Sequence, residues 1–411
     1  MKLWIIVALL GAGICAAVGG IEGIEIRPNE RVVFIGDLMY GPRFAKNETL
    51  RDPELLWASL LARHADKNIT FIKVCHDSAS TAGVVGKLDT EVLPWKPTLV
   101  IINRGIYDVG YQFRTPKPDF GVYRPNMGKM VKLIKAAGAR IVLCSPTPQN
   151  NNSTPEKLLP PNDGIAGMAQ DAQKIAAENG AVYIDLFIPL LRGAVEAEEQ
   201  KPPQNFWGDP YVYFLNAHLT AADAILAGMG FAKEQINATV NAQDLTVNAE
   251  HCRVSGITMK DGVLGMTWSG DYCFVPVPDA AVKRFGARFN PDVLFIKNLQ
   301  GASYDLLVDG VLYGTVNQEQ MAGGIKLGER KSPLYTIPYP EYLAKADSVK
   351  DIIMNIGAAR SFKLPAWIQQ PDFEQQREQK LARLTADLEK SQAELRALFK
   401  SKAHHLEFKP R

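Results

Sequence analysis

The sequence predicts a three-layer α/β domain on a five-stranded parallel sheet, followed by a β-rich module and C-terminal helices. Three observations carry this. Between Arg31 and Ala232, short runs rich in Val and Ile alternate with amphipathic stretches, the pattern of a parallel sheet covered by helices on both faces. Beyond Ala232, strand-like stretches follow one another across turn signals such as Lys260-Asp261-Gly262, Ser269-Gly270-Asp271 and Asp309-Gly310. From about Gln318 onward, short helical stretches and Pro-rich loops lead to a Leu stripe of helical spacing.

Taken in order, the chain opens with Lys2 and an apolar run from Leu3 to Val18 that ends in small residues. That is the layout of a secretory signal over residues 1–19, and the run is short for a membrane span, which needs about 20 apolar residues. The expectation is a secreted or periplasmic protein with no membrane span after cleavage; an uncleaved anchor is the competing reading. Residues 28–232 then supply the strands Val32–Ile35, Phe71–Val74, Leu99–Ile102, Ile141–Leu143 and Val182–Ile184, and the helices Pro53–His64, Pro125–Ala137 and Gly164–Asn179. In such a sheet the site lies at the carboxyl ends of the strands. Asp37, His76, Asp77, Ser78, Ser80, Arg104, Asp108, Gln149 and His218 should therefore share one cleft rim.

Residues 233–317 read as an antiparallel module with strands Leu245–Ala249, Arg253–Met259, Val263–Trp268, Cys273–Pro276, Val293–Ile296 and Tyr304–Val308. Residues 318–411 read as helical, ending in a helix over Phe373–Lys402 with Leu381, Leu384, Leu388, Leu395 and Leu398 on one stripe that packs on its own protein. A net charge of +2 gives no polyanion-binding signature, so no nucleic acid is expected. Of the five cysteines, Cys15 falls in the signal. Cys252 and Cys273 flank neighbouring strand candidates, where a cross-strand disulfide and two buried thiols both stand open.

Several blocks resemble, in order and spacing, the SGNH/GDSL hydrolases, which cleave esters with a Ser-His-Asp triad. Arg31-Val-Val-Phe-Ile-Gly-Asp37 resembles the opening block, an apolar strand before Gly-Asp-Ser. Trp95-Lys96-Pro97 with Leu99–Ile102, then Gly105-Ile106-Tyr107-Asp108, resemble the block ending Gly-x-Asn-Asp. Ile141–Cys144 with Ser145-Pro146 resembles the fourth strand and its turn, and His218-Leu219-Thr220 before a helix Ala221–Gly228 resembles the last block, whose histidine is the general base. The resemblance implies a flavodoxin-like strand order of 2-1-3-4-5, which sets Cys75 and Cys144 three strand positions, roughly 14 Å, apart and so leaves them unpaired.

The departures from that pattern bear on function. Leu38 stands where the family has its nucleophilic serine, and leucine has no lone pair with which to attack a carbonyl. No glycine stands near Cys75 and His76, where the family has its oxyanion-hole glycine, and Tyr107 replaces the oxyanion-hole asparagine. Leu215, three residues before His218, replaces the acid that fixes the imidazole tautomer. Another register, with Asp209 as acid and Val212 as base, contains no histidine.

The leading expectation is thus a secreted family member with lost or strongly reduced ester hydrolysis and a cleft that still takes a carbohydrate or acyl-ester ligand. Two rivals remain. One is an active divergent esterase in the old cleft, with His218 as base and either Ser80, beside His76, or a metal-bound water as nucleophile; the other is a non-catalytic interaction scaffold. Asp37, His76, Asp108 and His218 are of metal-binding types, but their dispersed positions give no ligand spacing, and neither metal nor cofactor is expected.

Overall fold

Arg31–Gly36 forms β1, and parallel neighbours occupy both of its sides. The computed structural model describes residues 23–37, 52–75, 79–108, 120–149, 162–201, 206, 214–231, 236–365, 368 and 370–411. Val32, Val33, Phe34 and Ile35 are wholly buried, which is why the run is apolar without alternation. β2 (Thr70–Cys75) pairs Ile72 with Val33 on one side, and β3 (Leu99–Asn103) pairs Val100 with Val33 on the other. β4 (Arg140–Cys144) and β5 (Val182–Ile184) complete the order β2-β1-β3-β4-β5, as expected.

Helices cover the sheet: α1 (Asp52–His64), α2 (Thr81–Val85), α3 (Tyr123–Ala136), α4 (Asn162–Asn179), α5 (Phe187–Glu199) and α6 (Leu215–Gly228). α3 buries Tyr123, Met127, Met130, Val131 and Ile134, a helical stripe. It packs on α2 and α4, whereas α6 packs on α1 and α5. The last helix begins at Leu215, not Ala221, so His218 lies inside it.

The β-rich part holds two sheets. One is mixed, in the order β13-β10-β6-β7: β6 (Asn237–Asn241) and β10 (Val293–Lys297) run parallel, a departure from the antiparallel module expected, while β7 (Thr246–Glu250) and β13 (Ile325–Lys326) flank them antiparallel. The other is antiparallel, with β8 (Cys252–Lys260), β9 (Val263–Gly270), β11 (Ser303–Val308), β12 (Val311–Asn317) and β14 (Ala403–Pro410) in the order β12-β11-β14-β9-β8. Cys273–Pro276 is not a strand. The amide and carbonyl of Val275 are both taken by the side chain of Asn290, at 2.6 and 3.2 Å, so this buried segment needs no strand partner. Asn290 follows α7 (Asp279–Phe289), a helix that the sequence pattern did not predict.

The C-terminal region is not wholly helical. After α8 (Gln318–Gly323) and α9 (Tyr339–Ser361), α10 spans Phe373–Arg396 and stops short of Lys402. The chain then turns to place β14 between β11 and β9. On its way α10 covers the edge of β2: Gln392 Nε2 donates to the Phe71 carbonyl at 3.3 Å and Arg396 to the Ile69 carbonyl at 3.2 Å. An open strand edge invites pairing with another chain, and these bonds occupy it. Cys144, Cys252 and Cys273 are buried free thiols, so Cys252 and Cys273 form no disulfide; the side chain of Cys75 lies outside the described residues. No helix among the described residues is long and apolar enough to cross a membrane.

Candidate cleft at the carboxyl ends of the strands

The loop after β3 turns at Gly105, with φ of +145°. A Cβ there would meet the Pro146 ring at 2.7 Å, so both backbone sign and space require glycine. The turn aims the Ile106 amide at Asp37, whose Oδ2 accepts it at 3.0 Å just beyond β1. Asp37 Oδ1 lies 3.1 Å from Arg104 Nη1, and both side chains are buried. The same guanidinium donates to the carbonyls of Gly36 and Ala79, at the end of β1 and in the loop after β2.

Asp108 ties the β3 loop to α2. Its carboxylate accepts the Thr81 amide at 3.1 Å and the Thr81 hydroxyl at 2.6 Å. Burial pushes the Asp37 carboxyl up to about 6 against the opposing pull of Arg104, and burial also raises Asp108 against its bonds from Thr81. Tyr123, wholly buried on α3, is driven well above the ordinary phenol value by burial and by the charge of Asp108, so it stays neutral.

At the β4–β5 end the polar groups cap a helix instead. Ser145 Oγ accepts the Leu186 amide at 2.8 Å and the Phe187 amide at 3.0 Å, and Asp185 Oδ1 accepts Phe187 at 2.9 Å, all at the start of α5. Asn103 donates to the Ser145 carbonyl at 2.9 Å, joining β3 to this end. Gln149 is buried, with its backbone held by Asn162 on α4 through bonds of 3.0 and 3.1 Å.

The structure thus brings Asp37, Arg104 and Asp108 together. Ser80 is the N-cap of α2, its Oγ accepting the Gly83 amide at 3.5 Å. Tyr107 is buried in the turn between Ile106 and Asp108. Leu215 is the first residue of α6 and half-buried, and His218 is buried within that helix. Cys75 ends β2 with its backbone opposite Gly36. Leu38, His76, Asp77 and Ser78 lie outside the described residues. No group of three or more His, Cys, Asp or Glu among the described residues could hold a metal ion. The sequence placed Arg104 on the cleft rim and Ser145 in a family-like turn without giving either a partner, and it did not single out Thr81 or Asp185.

A family model described as the GDSL-like lipase/acylhydrolase family matches residues 38–222. Among solved structures, a gut microbial diltiazem-metabolizing enzyme is similar at a TM-score of 0.68 and 18% identity, over 94% of this chain and 99% of that one. An acetylxylan esterase from Geobacillus stearothermophilus is similar at a TM-score of 0.43 and 19% identity, over 51% of this chain and 97% of its own. An α/β hydrolase enzyme from the metagenome of Lake Arreo, Spain, has a TM-score of 0.43 and 19% identity, over 51% and 98%. No curated protein matches the chain. At these identities the structural likeness bears on fold alone. The N-terminal domain of this chain belongs to the GDSL-like lipase/acylhydrolase family.

Proposed function

We propose that the N-terminal domain of an exported protein binds an acyl ester, free or carried on a carbohydrate, and hydrolyses it at or barely above the uncatalysed rate. The observation that carries this is Leu38. It follows directly on Asp37 at the end of β1, where the family resemblance puts the serine nucleophile. A side chain without a lone pair cannot form the acyl-enzyme on which this chemistry depends.

Two further features support the reading. Leu215 opens α6 where the family resemblance puts the acid that would orient His218, and leucine offers no carboxylate there. Ser80, the other hydroxyl weighed as nucleophile, is engaged as a helix cap. Titration calorimetry with triacetin, a small acyl ester, tests the proposal in the full chain with and without divalent metal ions. Saturable heat without acetate release is the expected result. Stoichiometric binding accompanied by steady acetate release would overturn the loss of hydrolysis, and no heat at millimolar ester would overturn the binding cleft.

A further inference from the structure

Arg104 is wholly buried, so its guanidinium cannot touch a ligand in the cleft. It nevertheless reaches all three loops on the β1–β3 side. Nη1 donates to Gly36 and pairs with Asp37, Nη2 donates to Ala79, and its own backbone opens the loop that returns Ile106 to Asp37 and Asp108 to Thr81. A buried cation is tolerated only where pairing and hydrogen bonds offset its desolvation. The sheet does not need one for packing: its β4–β5 end is held by Ser145 and Asp185, with no buried Lys or Arg among the described residues that donate to either. A guanidinium suits the task because its planar fork can serve two carbonyls and a carboxylate at once, whereas an ammonium presents its donors from a single point.

We infer that Arg104 is the positioning residue of the cleft, holding Asp37 after β1, Ala79 before α2 and Ile106–Asp108 after β3 in one arrangement on which capture of an acyl ester depends. This rests on the binding reading above. Hydrogen exchange on the full chain, read at the amides of Thr81 and Ile106, separates the two claims when triacetin titrations are run on the same samples. In folded Arg104→Met both amides should exchange about tenfold faster or more, as losing the support of a buried hydrogen bond implies, while amides in β9 and α7 keep their rates. Triacetin affinity should fall about tenfold with them, and Arg104→Lys should recover part of both effects.

Unchanged exchange at Thr81 and Ile106 in folded Arg104→Met overturns the inference, and so does faster exchange with unchanged triacetin affinity. If the wild-type protein binds no triacetin, the binding reading fails by itself, and the exchange data alone decide whether Arg104 holds the loops. Should Arg104→Met not fold, Asp37→Asn takes its place. Ile106 should then exchange faster with Thr81 unchanged, because Arg104 still holds Ala79 close to Thr81; equal acceleration at both sites would make Asp37 rather than Arg104 the common support and overturns the inference.

Discussion

The two polar knots at the carboxyl edge of the parallel sheet are built on different principles. At the β4–β5 end, Ser145 and Asp185 accept the first amides of α5, the ordinary satisfaction of a helix start. At the β1–β3 end, a buried cation and two buried carboxylates tie separate loops across the sheet. The first knot is local in part: Asp185 bonds residues next to it in the chain, while Ser145 reaches the same helix start from 41 and 42 residues away. The second joins Asp37, Ala79 and Arg104, which only the fold brings together. The contrast teaches where the domain invests electrostatics: on the loops around the cleft, at the position where the family resemblance expects a serine and this chain has Leu38.

Removing the buried cation should break that contrast most severely. Arg104→Met should destabilise the N-terminal domain by about 3–5 kcal/mol, because it leaves Asp37 buried without its partner. Denaturant unfolding followed by near-UV circular dichroism measures it; a loss of about 1–2 kcal/mol or less, on the order of one or two ordinary hydrogen bonds, would put the brace on a par with the helix cap. Ser145→Ala should cost less, about 1–2 kcal/mol, because Asp185 still accepts the Phe187 amide.

A pH series sharpens the comparison further. The folded Asp37 carboxyl titrates near 6, above its ordinary 3.8, so the fold takes up a proton there more readily than the unfolded chain. Its penalty is fully present above pH 6 and relieved as pH falls toward 4. His64 acts oppositely: burial lowers it from 6.5 to about 4, so stability is lost as pH falls through that window. The difference between wild type and Asp37→Asn isolates the carboxyl, and it should move in favour of wild type between pH 7 and pH 5. Movement the other way would mean that Arg104 outweighs burial. The smallest effect is expected from Leu38→Ser, whose p-nitrophenyl acetate turnover should stay below about 1 per second, since Tyr107 and Leu215 remain in place.

The parallel sheet was legible because its strands are short runs rich in apolar residues, and every pairing but β1–β3 joins strands successive in the chain. β14 was not. Its alternation, with His404, Leu406 and Phe408 turned inward, is present in the sequence, but the Leu stripe before it extended the helix reading to Lys402, and its partner Ser269 lies far back in the chain. Cys273–Pro276 failed for the converse reason: strand-like composition marks burial, and Asn290 supplied the bonds a neighbouring strand would have given. In the cleft, Asp37 and Asp108 were visible as motif positions. Their partners were not, because the backbone amides of Ile106 and Thr81 leave no mark on a sequence.

The loss of ester hydrolysis is tested most directly by the steady-state rate at which the full chain releases p-nitrophenol from p-nitrophenyl acetate at neutral pH, measured with and without divalent metals. A rate indistinguishable from buffer, or barely above it, is what Leu38 at the end of β1 predicts. Turnover of about 1 per second or more, lost on Ser80→Ala or on chelation, would contradict it and restore the domain to the working esterases.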